Sequence, residues 1–187
     1  MGAFGQALFA TPPVIGGVQL LPFSAFHAQA LMELDSPFLS GERDPTWGET
    51  ASALIICSSC RADGLGRLAN AMRSPVARAV WNVKRIIHGE EDTGNALAYH
   101  IRESMVCPVL WEKGNSGGKS SGADWPFYVV STIAREFNGF DYETLWDMPI
   151  GELLCHKVIL SEASGSVEIA ERDLRFREKR ERRKENN

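Results

Sequence analysis

The sequence has no apolar run near the ~20 residues that a helix needs to cross a bilayer, and no basic segment ahead of an apolar one at its start. Neither a membrane span nor an export leader is expected, and the chain reads as a cytoplasmic protein. Cysteine is scarce: Cys57, Cys60, Cys107 and Cys155 are the only four in 187 residues. That is too few for a disulfide framework, so reduced thiols are expected. A strong excess of one charge is also missing. The formal net charge is −4, which gives no reason to expect nucleic acid as the main partner. Nor does any segment alternate apolar and polar residues long enough to favour a sheet.

What is present is an ordinary globular composition, 44% apolar and 24% charged. A domain of about 150 residues can bury roughly 70% of its unfolded surface, so no staple is needed. The pattern predicts an all-α fold: a compact multi-helix bundle with an irregular N-terminal arm, a flexible Gly/Ser loop and a charged C-terminal helical tail. The arm covers 1–22, where "GVQLLPF" suits either a strand or an extended segment. The helical domain covers 23–165 and is interrupted by the loop at 112–122. The charged helix or tail covers 166–187.

Within the domain, Phe23, Phe26, Ala30, Leu31 and Leu34 recur at helical spacing, with Ser24 placed to cap the helix and "DSPF" to end it. Asp44 and Pro45 read as the cap and first position of a second helix, on which Trp47, Leu54, Ile55 and Cys57 face inward. After a break at "DGLGR" comes a short helix, an interruption at Pro75, and a helix with Val76, Val80, Val83, Ile86 and Ile87 at 3–4 spacing, closed by Gly89. A further helix runs toward Pro108 with Leu97, Ile101 and Met105 on one face. Asp124 can cap a helix whose inner side is Phe127, Val130, Ile133, Ala134 and Phe137. "DYETLWDM" and "PIGELLCHKVILSEA" then supply two more, the last with Ile150, Leu153, Leu154, Val158 and Leu160 on one side. These three helices should cluster antiparallel.

Chemical motifs fail on spacing. "GGKS" ends like a phosphate-binding loop, but the first glycine that loop needs falls on Lys113, and no strand–helix unit surrounds it. "GNSGG" has the form of a nucleophile elbow without its strand. "CSSC" at 57–60 has thiol spacing suited to zinc, yet Cys155-His156 is poor geometry for two more ligands on one helix, and Cys57 reads as a core residue. His27, His88, His100 and His156 are scattered over different helices. Glu90, Glu91 and Asp92 sit at a helix start, where they complement its dipole. No catalytic, cofactor-binding or metal residues are assigned, and no cofactor is expected.

The stretches "LLPFSAFHAQALMELDSPFLSG" and "WPFYVVSTIAREFNGFDYETLWDMPIGELLCHKVILSEASG" resemble small proteins encoded among the tail genes of tailed bacteriophages and prophages, the tail assembly chaperones. The resemblance covers residues 20–41 and 125–165. It implies a non-enzymatic helper in the host cytoplasm that binds tail components, the tape-measure and tube proteins, during assembly. The alternatives are a structural subunit of a phage tail or neck and a small metal-binding protein. A homo-oligomer is a further option for the chain's partners. No membrane partner is expected.

Two regions supply the partner-binding candidates. Trp125, Phe127 and Trp146 belong to the aromatic segment. Leu174, Arg175, Phe176 and Arg180 belong to the tail, where residues 175–185 hold seven Lys/Arg against three Glu. A docking arm for an acidic partner, or a solvated helix, fits that composition.

Overall fold

A computed structural model of the chain describes residues 11–105, 110–112, 124–137, 139–165 and 167–169. The described chain opens on a hairpin. Strands β1 (Val14–Ile15) and β2 (Val18–Gln19) pair antiparallel around Gly16 and Gly17, whose φ values of 56° and 67° suit a two-residue hairpin turn and cost glycine no strain. Of the two forms expected for "GVQLLPF", its Val18–Gln19 part takes the strand, and Ile15 and Leu20 enter the core.

Helix α1 (Ala25–Glu33) starts at the expected cap, Ser24, and buries Phe26, Ala30 and Leu31. Leu34 lies just past its end and is exposed, because the chain turns there through Asp35 at a φ of 49°. The proline expected only to end this run also begins a short helix α2 (Pro37–Ser40). Helix α3 (Trp47–Cys57) starts two residues later than expected. Its cap is Thr46, not Asp44: the Thr46 N–H donates to Glu49 Oε2 at 2.8 Å while the Glu49 N–H donates back to the Thr46 hydroxyl. Trp47, Leu54, Ile55 and Cys57 are buried as anticipated.

Helices α4 (Gly64–Arg73), α5 (Pro75–His88) and α6 (Glu90–Ser104) follow, separated by Ser74 and Gly89. The glycines of "DGLGR" are not a break but the first turn of α4. Gly64 is there because Phe26 lies against it: a Cβ would stand 2.8 Å from Phe26 Cζ. Gly64→Ala is therefore expected to lower stability by about 1–3 kcal/mol, the usual range for overpacking a filled site. Chemical denaturation of the two proteins checks this, with Gly66→Ala, whose Cβ meets nothing and which should gain up to about 1 kcal/mol of helix propensity, as the control.

Helix α7 (Trp125–Glu136) contacts both α8 (Tyr142–Asp147) and α9 (Ile150–Ala163), and all three contact α1. Pro149 is the residue before α9, and the Ile150 N–H donates to the Phe23 carbonyl at 2.8 Å, tying α9 to the start of α1. Val130 and Ile133 are buried, Ala134 and Phe137 half-buried, and Phe127 is turned outward. Finally β3 (Leu110–Glu112) pairs antiparallel with β4 (Val167–Ile169). The tail was expected to be helical from 166, but 167–169 is strand. Two β-branched residues alternating about Glu168 suit that form better than a helix turn. The rest of the expected tail, 170–187, and the Gly/Ser loop beyond Glu112 lie outside the described residues.

With nine helices against two short ladders among the described residues, the fold is all-α. The core runs from the hairpin through α1 and α3 to α6, α7 and α9. No helix among the described residues is long and apolar enough to cross a membrane.

One histidine is part of this framework. The Ser24 N–H donates to His27 Nδ1 at 3.0 Å, so that nitrogen is unprotonated and the Nε2–H donates to the Ser59 carbonyl at 3.0 Å. Burial lowers its pKa below the ordinary 6.5, against the pull of its backbone partners. His100 is lowered too, by burial and by His27. Because the folded value is depressed, the unfolded chain takes up the proton first. The stabilising difference is whole above pH 6.5 and is lost as pH falls below it. The denaturation midpoint is expected to fall between pH 7.5 and pH 5, and His27→Gln should flatten that dependence. An unchanged slope in the variant would contradict it.

Candidate functional site

Helix α5 holds the largest mismatch between its sequence and its surroundings. It is the amphipathic helix that the 3–4 spacing predicts, yet none of its residues is buried. Val76 is 73% exposed, Val83 54% and Ile87 68%, with Val80 and Ile86 also open. The helix meets the body with its other side. Trp81 packs half-buried on the core, and Lys84 Nζ donates to the carbonyls of Gly17 at 2.9 Å and Gly16 at 3.3 Å in the hairpin turn. These contacts set the roll of α5, and the Val/Ile stripe is what the roll leaves outside. Leu65 and Met72 on α4 are exposed as well.

Helices α4 and α5 themselves carry charge of one sign, although Asp63 precedes them and Glu90, Glu91 and Asp92 follow directly. Residues 64–89 contain Arg67, Arg73, Arg78, Lys84 and Arg85 and no aspartate or glutamate, on a chain whose net charge is −4. Arg67 donates to the Ser58 carbonyl and Arg85 stands 3.9 Å from Glu90. Arg73 and Arg78 have no ion-pair partner among the described residues.

The aromatic candidates lie elsewhere. Trp146 is a buried residue of the core, its ring centroid 6.0 Å from that of Phe127 and 6.2 Å from that of Tyr142. Trp125 is half-buried, while Phe127, Tyr128 and Tyr142 are exposed, Phe127 and Tyr142 against the Trp146 ring. Lys157 Nζ sits 4.8 Å from the Tyr128 ring centroid, a cation–π contact. Leu174, Arg175, Phe176 and Arg180 lie outside the described residues.

The cysteines separate. Cys57 is buried at the end of α3, where burial pushes its thiol up to about 12, whereas Cys60 is exposed. Among the described residues no three His, Cys, Asp or Glu side chains gather as a metal site would need. His156 packs edge-on to Phe137 and Phe140.

Comparison with protein families, with curated proteins and with solved structures found no match.

Proposed function

We propose that this chain works by binding another protein, and that the outward face of α5 receives an acidic amphipathic helix of that partner. The exposed stripe carries this reading. Val76, Val80, Val83 and Ile87 are spaced 4, 3 and 4 residues apart, the seam of one helix laid against another. Their span of 11 residues covers about 16 Å at 1.5 Å per residue, enough for three turns of a partner helix. Helices α4 and α5 carry five cations and no acid, a local positive excess that favours an acidic occupant. A second copy is disfavoured because it would set the same cations against each other. A lipid surface would call for Trp, Phe or Leu on the stripe, which carries Val and Ile.

The finer reading is a tail assembly chaperone, acting in the host cytoplasm on the tape-measure or tube protein. Its support is the resemblance of residues 20–41 and 125–165, and a long helical tail protein is the kind of partner that the α5 face would suit. The test is co-expression with the adjacent tail genes, with purified particles probed for this chain. Capture of a helical tail protein through an acidic segment, and absence of this chain from the particle, is the expected result. Stoichiometric presence in the particle would make it a structural subunit instead.

A further inference from the structure

Helix α5 is held to the rest of the molecule at few points. None of its residues is buried, and it packs mainly on its chain neighbours α4 and α6. Single residues, Ser74 and Gly89, join it to both. Gly89 has a φ of 75°, and glycine has the widest choice of backbone conformations, which suits it to a hinge. Arg78, Trp81 and Asn82 of α5 line an open cavity of about 540 Å³, whose other lining includes the buried Leu31, Trp47, Ile55 and Leu68. Of the three α5 residues only Trp81 offers a large apolar surface, so little hydrophobic area holds the helix down at that wall.

The polar anchorage gathers at one place. Lys84 Nζ donates to the carbonyls of Gly17 at 2.9 Å and Gly16 at 3.3 Å, and it stands 5.8 Å from the Trp81 ring centroid. Among the described residues no other α5 side chain hydrogen-bonds beyond the neighbouring helices. The missing side chain at Gly17 lets the lysine come this close. A Cβ there would stand 3.3 Å from Lys84 Nζ and 2.8 Å from Nε2 of His88, which follows Lys84 four residues later on the same side of α5.

We infer that α5 is a strap that lifts from the body as a unit, with Lys84 on the hairpin turn as its latch. Lifting takes one wall from the cavity and carries the Val/Ile stripe with it, while the core stays folded. Elements that move in this way come from the low-stability end of a fold, where buried apolar contacts are few. The inference concerns the free chain and stands whether or not the stripe docks a partner helix.

Amide hydrogen exchange on the full chain tests this, in the parent, Lys84→Met and Gly17→Asn. In the parent the amides of residues 79–88 should exchange together, at least about tenfold faster than those of α3 once intrinsic rates are divided out. Lys84→Met keeps the side-chain stem and removes the donor. It should speed exchange along the whole of α5 by about tenfold, the low end of what a hydrogen bond from a charged group contributes, and leave α3 and α7 unchanged. Gly17→Asn acts from the hairpin side. Asparagine tolerates the positive φ there, and its Cβ displaces Lys84, so the same acceleration is expected. Exchange of α5 in step with α3 in the parent would overturn the inference. So would acceleration confined to the turn around residue 84, no acceleration in either variant, or equal acceleration of α3, which would mean that the whole fold had been weakened.

Discussion

Replacing Val83 and Ile87 together by aspartate is expected to leave the free protein's melting temperature within a degree or two of the parent and to abolish partner binding. The two positions are 54% and 68% exposed, so little packing is lost. Substitutions on such surfaces usually stay within about ±0.5 kcal/mol. Valine and aspartate also differ little in helix propensity, and the new carboxylates sit among Lys84 and Arg85. In the complex the situation reverses. Two carboxylates would be carried into an apolar seam without partners and set against an acidic helix, a loss of at least a hundredfold in affinity at the ~1.4 kcal/mol per decade of a dissociation constant. Calorimetry on the free variant and a binding titration with the captured partner check the two halves separately. A large fall in melting temperature would mean that the stripe is packed against something in the free chain.

The second large effect contrasts two isoleucines. Ile101 on α6 has no exposed surface, and Ile87 on α5 is mostly open. Ile101→Ala should cost about 3 kcal/mol, in the middle of the range for truncating a fully buried aliphatic chain, because the lost transfer energy is joined by a cavity that neighbours only partly fill. For a chain of this size each kcal/mol shifts the melting temperature by about 2–4 °C, so a drop near 10 °C is expected. Ile87→Ala should move it by about a degree either way. Thermal unfolding of both variants reads the difference directly. A larger effect at Ile87 would show that the wrong side of α5 had been taken as its inner face.

Much of the helical framework was legible in the sequence because cap and periodicity agree locally. Ser24 before an apolar repeat gave the start of α1, and Leu97 and Ile101 marked the inner face of α6. The start of α3 was misplaced by two residues although Thr46-Trp-Gly-Glu49 carries the capping-box pattern; the Asp-Pro pair just before it gave a competing start signal. Gly64 read as a breaker because its reason, the Phe26 ring 38 residues earlier, is a tertiary contact that no local pattern contains.

The orientation of α5 could not be taken from its period. A 3–4 repeat says which residues share a side of a helix, not what that side meets. The roll of α5 depends on Trp81 and on Lys84 reaching the hairpin turn, contacts distant in sequence. A sequence signal was nevertheless there: α4 and α5 carry five cations and no acid, and a basic amphipathic helix is a common form of binding element. Phe127 was placed on the inner face of α7 for the same reason that misled at Leu34. Both are apolar residues at an approximately right spacing near a helix end, where the next element rather than the period decides burial.

Site-specific photo-crosslinking would test the docking face most directly. A benzophenone residue is placed at position 83 on the stripe in one protein and at position 128 on the aromatic patch in another, and each is irradiated with the captured partner. Crosslinks from position 83 to an acidic helical segment, with few or none from 128, are the expected result. Crosslinks from 128 alone would contradict the assignment and move the docking surface to Phe127, Tyr128 and Tyr142.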